Sequence, residues 1–328
     1  MKAINNLKIK KIDKSFSKNR RVKSFLFLFI CIFTGVSPYF LSRKPSLSIL
    51  LILSGLIFLY GIFVLSKNFK KELIQKDLNI GNTSISELPY LDIVVAARDE
   101  QNVIQRLVER LFNLDYPSDK LNIFIIDDGS QDQTPNILKI LSQKYKKLQI
   151  ISRDKNAGGG KSGALNDALK ITTGEWVLIL DADAQLRNNT LIKLLNYAYK
   201  GSWSAVQLRK SVINESQNLL TECQSIEMVM DAFFQIGRLS AAGVSELRGN
   251  GQLINKKVLL DSGSFNEDTV TDDLDLSMRL LLFGSEIGIL WDPPVMEEGV
   301  ENLSALFAQR QRWAEGGLQR FFDYGSEL

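Results

Sequence analysis

The stretch Ile123-Phe-Ile-Ile-Asp-Asp-Gly-Ser130 decides how this chain is read. Four apolar, mostly β-branched residues stop abruptly on two acids and a turn-forming pair, the pattern of a buried parallel strand. An echo follows at Val177-Leu-Ile-Leu-Asp-Ala-Asp183. In an open α/β sheet, ligands bind in the crevice beyond the carboxyl ends of such strands. Asp127, Asp128, Asp181 and Asp183 are therefore expected at one sheet edge. One acidic pair would read simply as a turn or helix cap. Two pairs at one edge repel each other unless a cation or a set of donors offsets them, which points to a ligand site.

Working outward, strands and helices alternate. Leu91 to Ala97 is a first strand, with Arg98-Asp-Glu100 opening a helix whose Val103, Ile104, Leu107, Val108 and Leu111 recur at helical spacing. Thr134-Pro135 opens a second helix, and Leu148 to Ile151 and Ala205 to Val212 are further strands. Such alternation gives βαβ units, a mostly parallel sheet and right-handed crossovers. Asn156 to Gly163 is a glycine-rich loop before a helix. It departs from a P-loop, because Lys155 stands where that pattern needs glycine. Lys161 remains a candidate nucleotide contact, against the plain alternative of an exposed loop lysine.

Composition narrows the chemistry. The 328 residues carry a net charge of +3 and are 45% apolar, which excludes global disorder and gives no argument for a nucleic-acid partner. Histidine is absent and only Cys31 and Cys223 occur, so imidazole catalysis, a disulfide framework and a Cys/His metal site are excluded. A metal here must be held by oxygen, which favours Mg²⁺ or Mn²⁺. The Asp-x-Asp spacing turns Asp181 and Asp183 to one side of an extended chain, where they can hold one hard cation that bridges phosphate oxygens.

The amino-terminal region reads differently. Nine Lys or Arg precede Ser24 against the single acid Asp13. Phe25 to Leu41 and Leu47 to Leu65 are then two apolar runs, each close to the length of a membrane span, with a short hairpin between them. The charge bias places the amino terminus in the cytoplasm, and two spans return the chain to that side. The expected organisation is a basic segment at 1–23, a two-helix transmembrane hairpin at 24–66, a juxtamembrane linker at 67–89 and a cytoplasmic α/β domain at 90–328.

Two later groups complete the candidate site. Thr271-Asp272-Asp273 sits at an expected helix start, where acids either complement the dipole or supply a general base for an acceptor hydroxyl. Gln309-Arg-Gln-Arg-Trp313 offers guanidinium groups suited to diphosphate oxygens and an aromatic plate suited to a sugar or acceptor. The plain alternative is packing and surface charge.

In order, DDGS, DAD, TDD and QxxRW resemble the family 2 inverting glycosyltransferases with a GT-A (Rossmann-like) fold, which include the cellulose, chitin and hyaluronan synthases. The resemblance covers Leu91 to Trp313. It implies that Asp127, Asp128, Ala97 and Glu100 contact the nucleotide, with Asp181 also on the donor, beside Lys161 as read from its loop. It further implies that Asp183 binds the metal and Asp273 is the catalytic base. Asp272, which stands where glutamate is usual, would join Gln309, Arg310, Arg312 and Trp313 at the diphosphate and acceptor end. The tail from Arg312 to Tyr324 resembles the cyanobacterial monoglucosyldiacylglycerol synthases, which implies UDP-glucose as donor, diacylglycerol as acceptor and a membrane lipid setting. Those proteins continue into further membrane helices, which this chain is expected to lack. Two other readings stay open: a processive polysaccharide synthase, and a non-catalytic membrane protein that retains nucleotide-sugar binding.

Overall fold

The computed structural model describes residues 20–40, 51–66 and 88–325. Seven strands form one sheet: β1 (Leu91–Ala97), β2 (Leu121–Asp127), β3 (Leu148–Ser152), β4 (Trp176–Leu180), β5 (Ala205–Val212), β6 (Gln252–Asn255) and β7 (Ile287–Glu297). Their order across the sheet is β3-β2-β1-β4-β6-β5-β7. Every pairing is parallel except those of β6, which runs antiparallel to both β4 and β5. The sheet is therefore mostly parallel, as the strand–helix alternation implies.

Near-continuous burial along β1, β2 and β4 follows from helices covering both faces. On one face Leu91, Ile93, Val95, Ile123, Ile125 and Leu178 pack against α3 (Ile104–Leu111), α4 (Thr134–Lys144) and α6 (Thr190–Gly201). On the other, Val94, Phe124, Ile126, Val177 and Ile179 meet α5 (Gly160–Leu169), α8 (Lys256–Asp261) and α9 (Asp272–Leu282). The alternation of β1 between these two clusters is the period-two geometry of a strand. Two long helices complete the domain: α7 (Leu219–Ala242), opened by an Asn218–Thr221 capping box, and α10 (Leu303–Tyr324), capped by Asn302.

Arg98–Glu100 does not begin α3. Asp99 adopts a positive φ of 57°, and three residues of turn intervene before Ile104. α4 begins at Thr134, one residue earlier than the Thr-Pro pair implies, with Gln133 at its N-cap. Thr134 is thereby free to accept from the Glu100 N–H at 2.8 Å, pinning the β1 loop to the start of α4.

The apolar runs near the amino terminus are helical where described. α1 (Arg20–Phe40) and α2 (residues 51–66) carry largely exposed apolar side chains, Phe25 at 72% and Ile57 at 71% among them. No helix among the described residues is long and apolar enough to cross a membrane, and the second run, Leu47 to Leu65, is described only from residue 51. Residues 1–19, the hairpin between the runs and the linker as far as residue 87 lie outside the described residues.

Both helices touch the domain. Arg20 pairs with Asp323 of α10 and donates to the Asp268 carbonyl at 2.8 Å, Lys23 donates to the Phe322 carbonyl, and Phe27 meets Phe322 edge-on at 5.6 Å. Val64 is fully buried against α7, where Gly237 permits the approach: a Cβ there would lie 2.5 Å from Val64 Cγ1.

At the sheet's amino-terminal end, far from any expected ligand, Asp92 is fully buried on β1. It accepts from the Asn122 side chain at 2.8 Å and from the Thr173 and Gly174 N–H groups at 2.7 and 2.5 Å. Removing an acceptor shared by three donors, of which the Gly174 N–H is buried, strips each of this partner. Asp92→Ala is expected to destabilise the domain by about 3 kcal/mol, a fall in thermal midpoint of roughly 6–12 °C by scanning calorimetry.

Candidate active site

The carboxyl ends of β1, β2 and β4 lie side by side, because their registers keep Ala97 level with Asp127 and Val95 level with Leu180. Asp127 closes β2 and accepts from the Ser130 N–H three residues on at 3.0 Å, closing a turn that Gly129 completes at φ 71°. A side chain at Gly129 would lie 2.6 Å from the Lys155 Cα, so this turn also needs glycine for close approach. Asp128 is held by Arg153, whose Nε also pairs with Asp167 at 2.8 Å. Ala97 and Glu100 stand at the adjoining end of β1. Burial first, and then Asp183 and Asp181, push the Glu100 carboxyl up to about 7.

From β4 to α10 the carboxylates enter one open cleft of about 960 Å³. Gly158 and Gly159 before α5 and Gly160 at its first position take positive φ, and the turn they make delivers Lys161 to the cleft. Its Nζ lies 2.5 Å from Asp181 Oδ1. Burial disfavours charge on both partners, yet their attraction prevails, raising the lysine and lowering the aspartate. Asp183 accepts from the Glu298 N–H at 3.0 Å. Its own carboxyl is pushed up to about 6, by burial first and then by Asp181 and Glu297 outweighing that hydrogen bond.

A frame around Asn250 holds this edge together. Asn250 is fully buried, its Oδ1 accepts from the Asp181 N–H at 3.1 Å, and its Nδ2 donates to Glu297 Oε2 at 3.2 Å. Its carbonyl accepts from the Gln207 side chain at 2.7 Å. Glu297 in turn pairs with Lys210 of β5 at 2.8 Å. Burial works against the Lys210 ammonium, but Glu297, and then Asp181 and Asp273, raise its pKa.

The opposite wall is α9 and α10. Thr271 is the N-cap of α9, placing Asp272 and Asp273 in its first turn. Asp273 is pushed up to about 6, by burial first and Asp272 next, while Lys161 and Lys210 work in the other direction. Asp272 Oδ2 is buried with no hydrogen-bond partner among the described residues, so this wall presents an acceptor that a ligand or ion can satisfy. α10 lies hard against the same turn: a Cβ at Gly316 would come 2.0 Å from Thr271 Oγ1. Gln319 of α10 accepts from the Val270 N–H at 3.0 Å. One face of α10 brings Gln309, Arg310, Arg312 and Trp313 to the cleft. Arg310 pairs with Glu227 of α7 and lies 4.2 Å above the Trp313 ring, and Lys210 lies 6.0 Å from that ring.

The fold thus gathers Lys161, Asp181, Asp183, Asp272, Asp273, Gln309, Arg310, Arg312 and Trp313 around one cleft. Ala97, Glu100, Asp127 and Asp128 stand outside its lining, at the neighbouring strand ends. Among the described residues no three acids form a ready metal cage. Lys210, Asn250 and Glu297 escaped sequence reading. Their signals were present in Arg209-Lys210, two cations inside an apolar strand, and in the Arg248-Gly-Asn-Gly251 turn. Chemically, the cleft can receive an anionic polyhydroxylated ligand and offers a carboxylate whose basicity is raised by burial.

Comparison with known proteins agrees with this geometry. The family model described as glycosyl transferase family 2 matches residues 92–262, which runs from β1 to α8 and takes in Asp127, Lys161, Asp181 and Asp183. The beta-monoglucosyldiacylglycerol synthase of Synechocystis sp. is 46% identical over 244 residues, covering 74% of this chain and 51% of that protein. The protein of that name from Trichormus variabilis is 41% identical over 308 residues, covering 94% of this chain and 64% of its own length. The chain therefore spans about half to two thirds of these relatives. A mannosyltransferase from Pyrobaculum calidifontis, solved with GDP-Man and Mn²⁺, superposes with a TM-score of 0.62 at 22% identity. That superposition covers 80% of this chain and 71% of the other and bears on the fold, which is the α/β GT-A arrangement. With the match running through more than half of its residues, this chain belongs to glycosyl transferase family 2.

Proposed function

We propose that the chain is the catalytic part of a membrane-bound inverting glycosyltransferase that moves glucose from UDP-glucose to the free hydroxyl of 1,2-diacylglycerol. The product would be β-monoglucosyldiacylglycerol. The observation that carries this reading is the convergence, in one cleft, of the Asp181/Asp183 edge of β4 with Asp273 in the first turn of α9. Identity of 41–46% to synthases of that product supports the choice of sugar and acceptor.

In this reading the uracil and ribose lie toward Asp127, Asp128, Ala97 and Glu100, and the diphosphate enters the cleft. Asp183, with Asp181 beside it, has the oxygen donors for Mg²⁺ or Mn²⁺, and the burial that raises the Asp183 pKa is the strain a cation would relieve. Such an ion supplies charge neutralisation to the diphosphate as it departs. Arg310 and Arg312 add guanidinium donors, and Trp313, 39% exposed, offers its ring face to the acceptor end.

The reaction is a single in-line displacement. Asp273 takes the proton from the acceptor hydroxyl as that oxygen forms its bond to the anomeric carbon. On the far side the bond from the anomeric carbon to the β-phosphate oxygen breaks, and UDP leaves with the electron pair. Attack opposite to departure inverts the configuration, turning an α-linked donor into a β-glucoside. A lipid acceptor suits the two apolar amino-terminal runs, which we read as membrane helices returning the catalytic domain to the cytoplasmic side. The exposed apolar side chains of α1 and α2 support that reading.

Membranes carrying Asp273→Asn, given labelled UDP-glucose and diacylglycerol, are expected to form glycolipid about 10²–10⁴-fold more slowly, the size of a general-base contribution, with UDP binding retained. Undiminished product would remove Asp273 from this role. The pH profile follows from the same residue. Because its folded pKa is raised to about 6, Asp273 is protonated and inactive below that pH. Activity should rise as pH increases through about 6 and level off above it. Asp183→Asn should raise the divalent-ion concentration needed for half-maximal UDP binding by about tenfold or more, as calorimetry across a Mg²⁺ or Mn²⁺ series would read.

A further inference from the structure

Lys210 stands out because nothing in the family reading assigns it, although it enters the same cleft. β5 reaches the site with a register shift against β7 between Leu208 and Lys210, an irregularity of the kind that re-aims a side chain. Its neighbour Arg209 is committed elsewhere, donating to the Trp291 carbonyl at 3.0 Å and stacking on that ring at 4.8 Å. Lys210 instead pairs with Glu297 at 2.8 Å, feels the charges of Asp181 and Asp273, and lies 6.0 Å from the Trp313 ring. Its side chain is only 17% exposed, so it does not belong to the solvated surface.

Charge balance decides what such a lysine does. The cleft already holds Asp181, Asp183, Asp272, Asp273 and Glu297, and a nucleoside diphosphate adds further negative charge. One divalent ion offsets two of these charges. Of the other cations that line the cleft, Lys161 pairs with Asp181, Arg248 with Asp231 and Glu246, and Arg320 with Glu246, while Arg310, paired with Glu227, and Arg312 serve the diphosphate from the α10 wall. Lys210 is the cation that approaches from the β5 wall, and its anchor Glu297 is held by the same Asn250 that fixes the Asp181 backbone. An ammonium paired with Glu297 in the field of Asp181 and Asp273 can also turn a donor to phosphate oxygens with little movement, as a compact charge with three rotatable donors.

We propose that Lys210 is a donor-binding residue that holds the β-phosphate, the leaving end of the diphosphate, from the β5 side of the cleft. This rests on the reading of the cleft as a nucleotide-sugar site. The alternative is that Lys210 serves only as a buried counter-charge for Glu297.

UDP and UMP separate the two, since UMP lacks the β-phosphate. Each is titrated by calorimetry, with Mg²⁺, into the full chain in detergent, as wild type, Lys210→Met and Lys210→Arg. The expected result is that Lys210→Met weakens UDP by about tenfold or more, the size of one charge-assisted hydrogen bond, and leaves UMP within about twofold. Lys210→Arg should recover most of the UDP affinity. Equal UDP affinity in Lys210→Met, or equal losses for UDP and UMP, overturns the proposal. Should Lys210→Met fail to fold, Lys210→Gln takes its place, and loss of fold in both assigns Lys210 to structure alone. Wild-type protein that binds no UDP defeats the nucleotide-sugar reading itself. Wild-type binding with an unaffected Lys210→Met defeats only the role of this lysine.

Discussion

Like-charge repulsion is the constraint to which the site is built. Carboxylates from β4, β7 and α9 crowd one sheet edge, and at neutral pH they would drive these elements apart if they faced only one another. The fold answers with buried cations and with an amide. Lys161 is placed against Asp181, Lys210 against Glu297, and Asn250 ties the Asp181 backbone to the Glu297 carboxylate. Asp183, Asp273 and Glu100, which have no ion pair among the described residues, are the acids whose basicity rises. The same crowding that threatens the fold thus raises the basicity of the carboxylates on which the proposed chemistry rests.

The parts of this arrangement that were legible in sequence are the local ones. IFIIDDGS and VLILDAD announce themselves through apolar runs that end on acids, because parallel strands buried on both faces leave that trace. Thr271-Asp272-Asp273 announces itself through acids gathered at a helix start. Lys210 and Glu297 do not, because their meaning depends on two strands brought together by long connections. β6 is only four residues long and antiparallel to its neighbours, so no βαβ rhythm marks it. β7 contains two prolines, Pro293 and Pro294, which argue against a strand by composition. It tolerates them at the sheet edge, where only β5 is its neighbour.

Asp128 shows a different limit. The DD pair reads as two equivalent acids, yet burial separates them. Asp127 shapes the turn after β2, whereas Asp128 faces Arg153, a residue twenty-five positions on whose guanidinium is nearly buried. Only the three-dimensional placement of β3 beside β2 distinguishes one acid from the other.

The clamp of Arg20 and Lys23 on the end of α10 has a geometric consequence. Asp323, which Arg20 grips, and Trp313, which lines the cleft, lie ten residues apart on one unbroken helix. At the rise of an α-helix this is a span of about 15 Å. The helix therefore serves as a ruler, fixing how deep the cleft lies relative to the foot of α1. Because Gly316 packs on Thr271 between those two marks, the ruler is also registered against the turn that carries Asp273. Any molecule that rests beside α1 thus stands at a distance from Asp273 set by helical geometry rather than by loops.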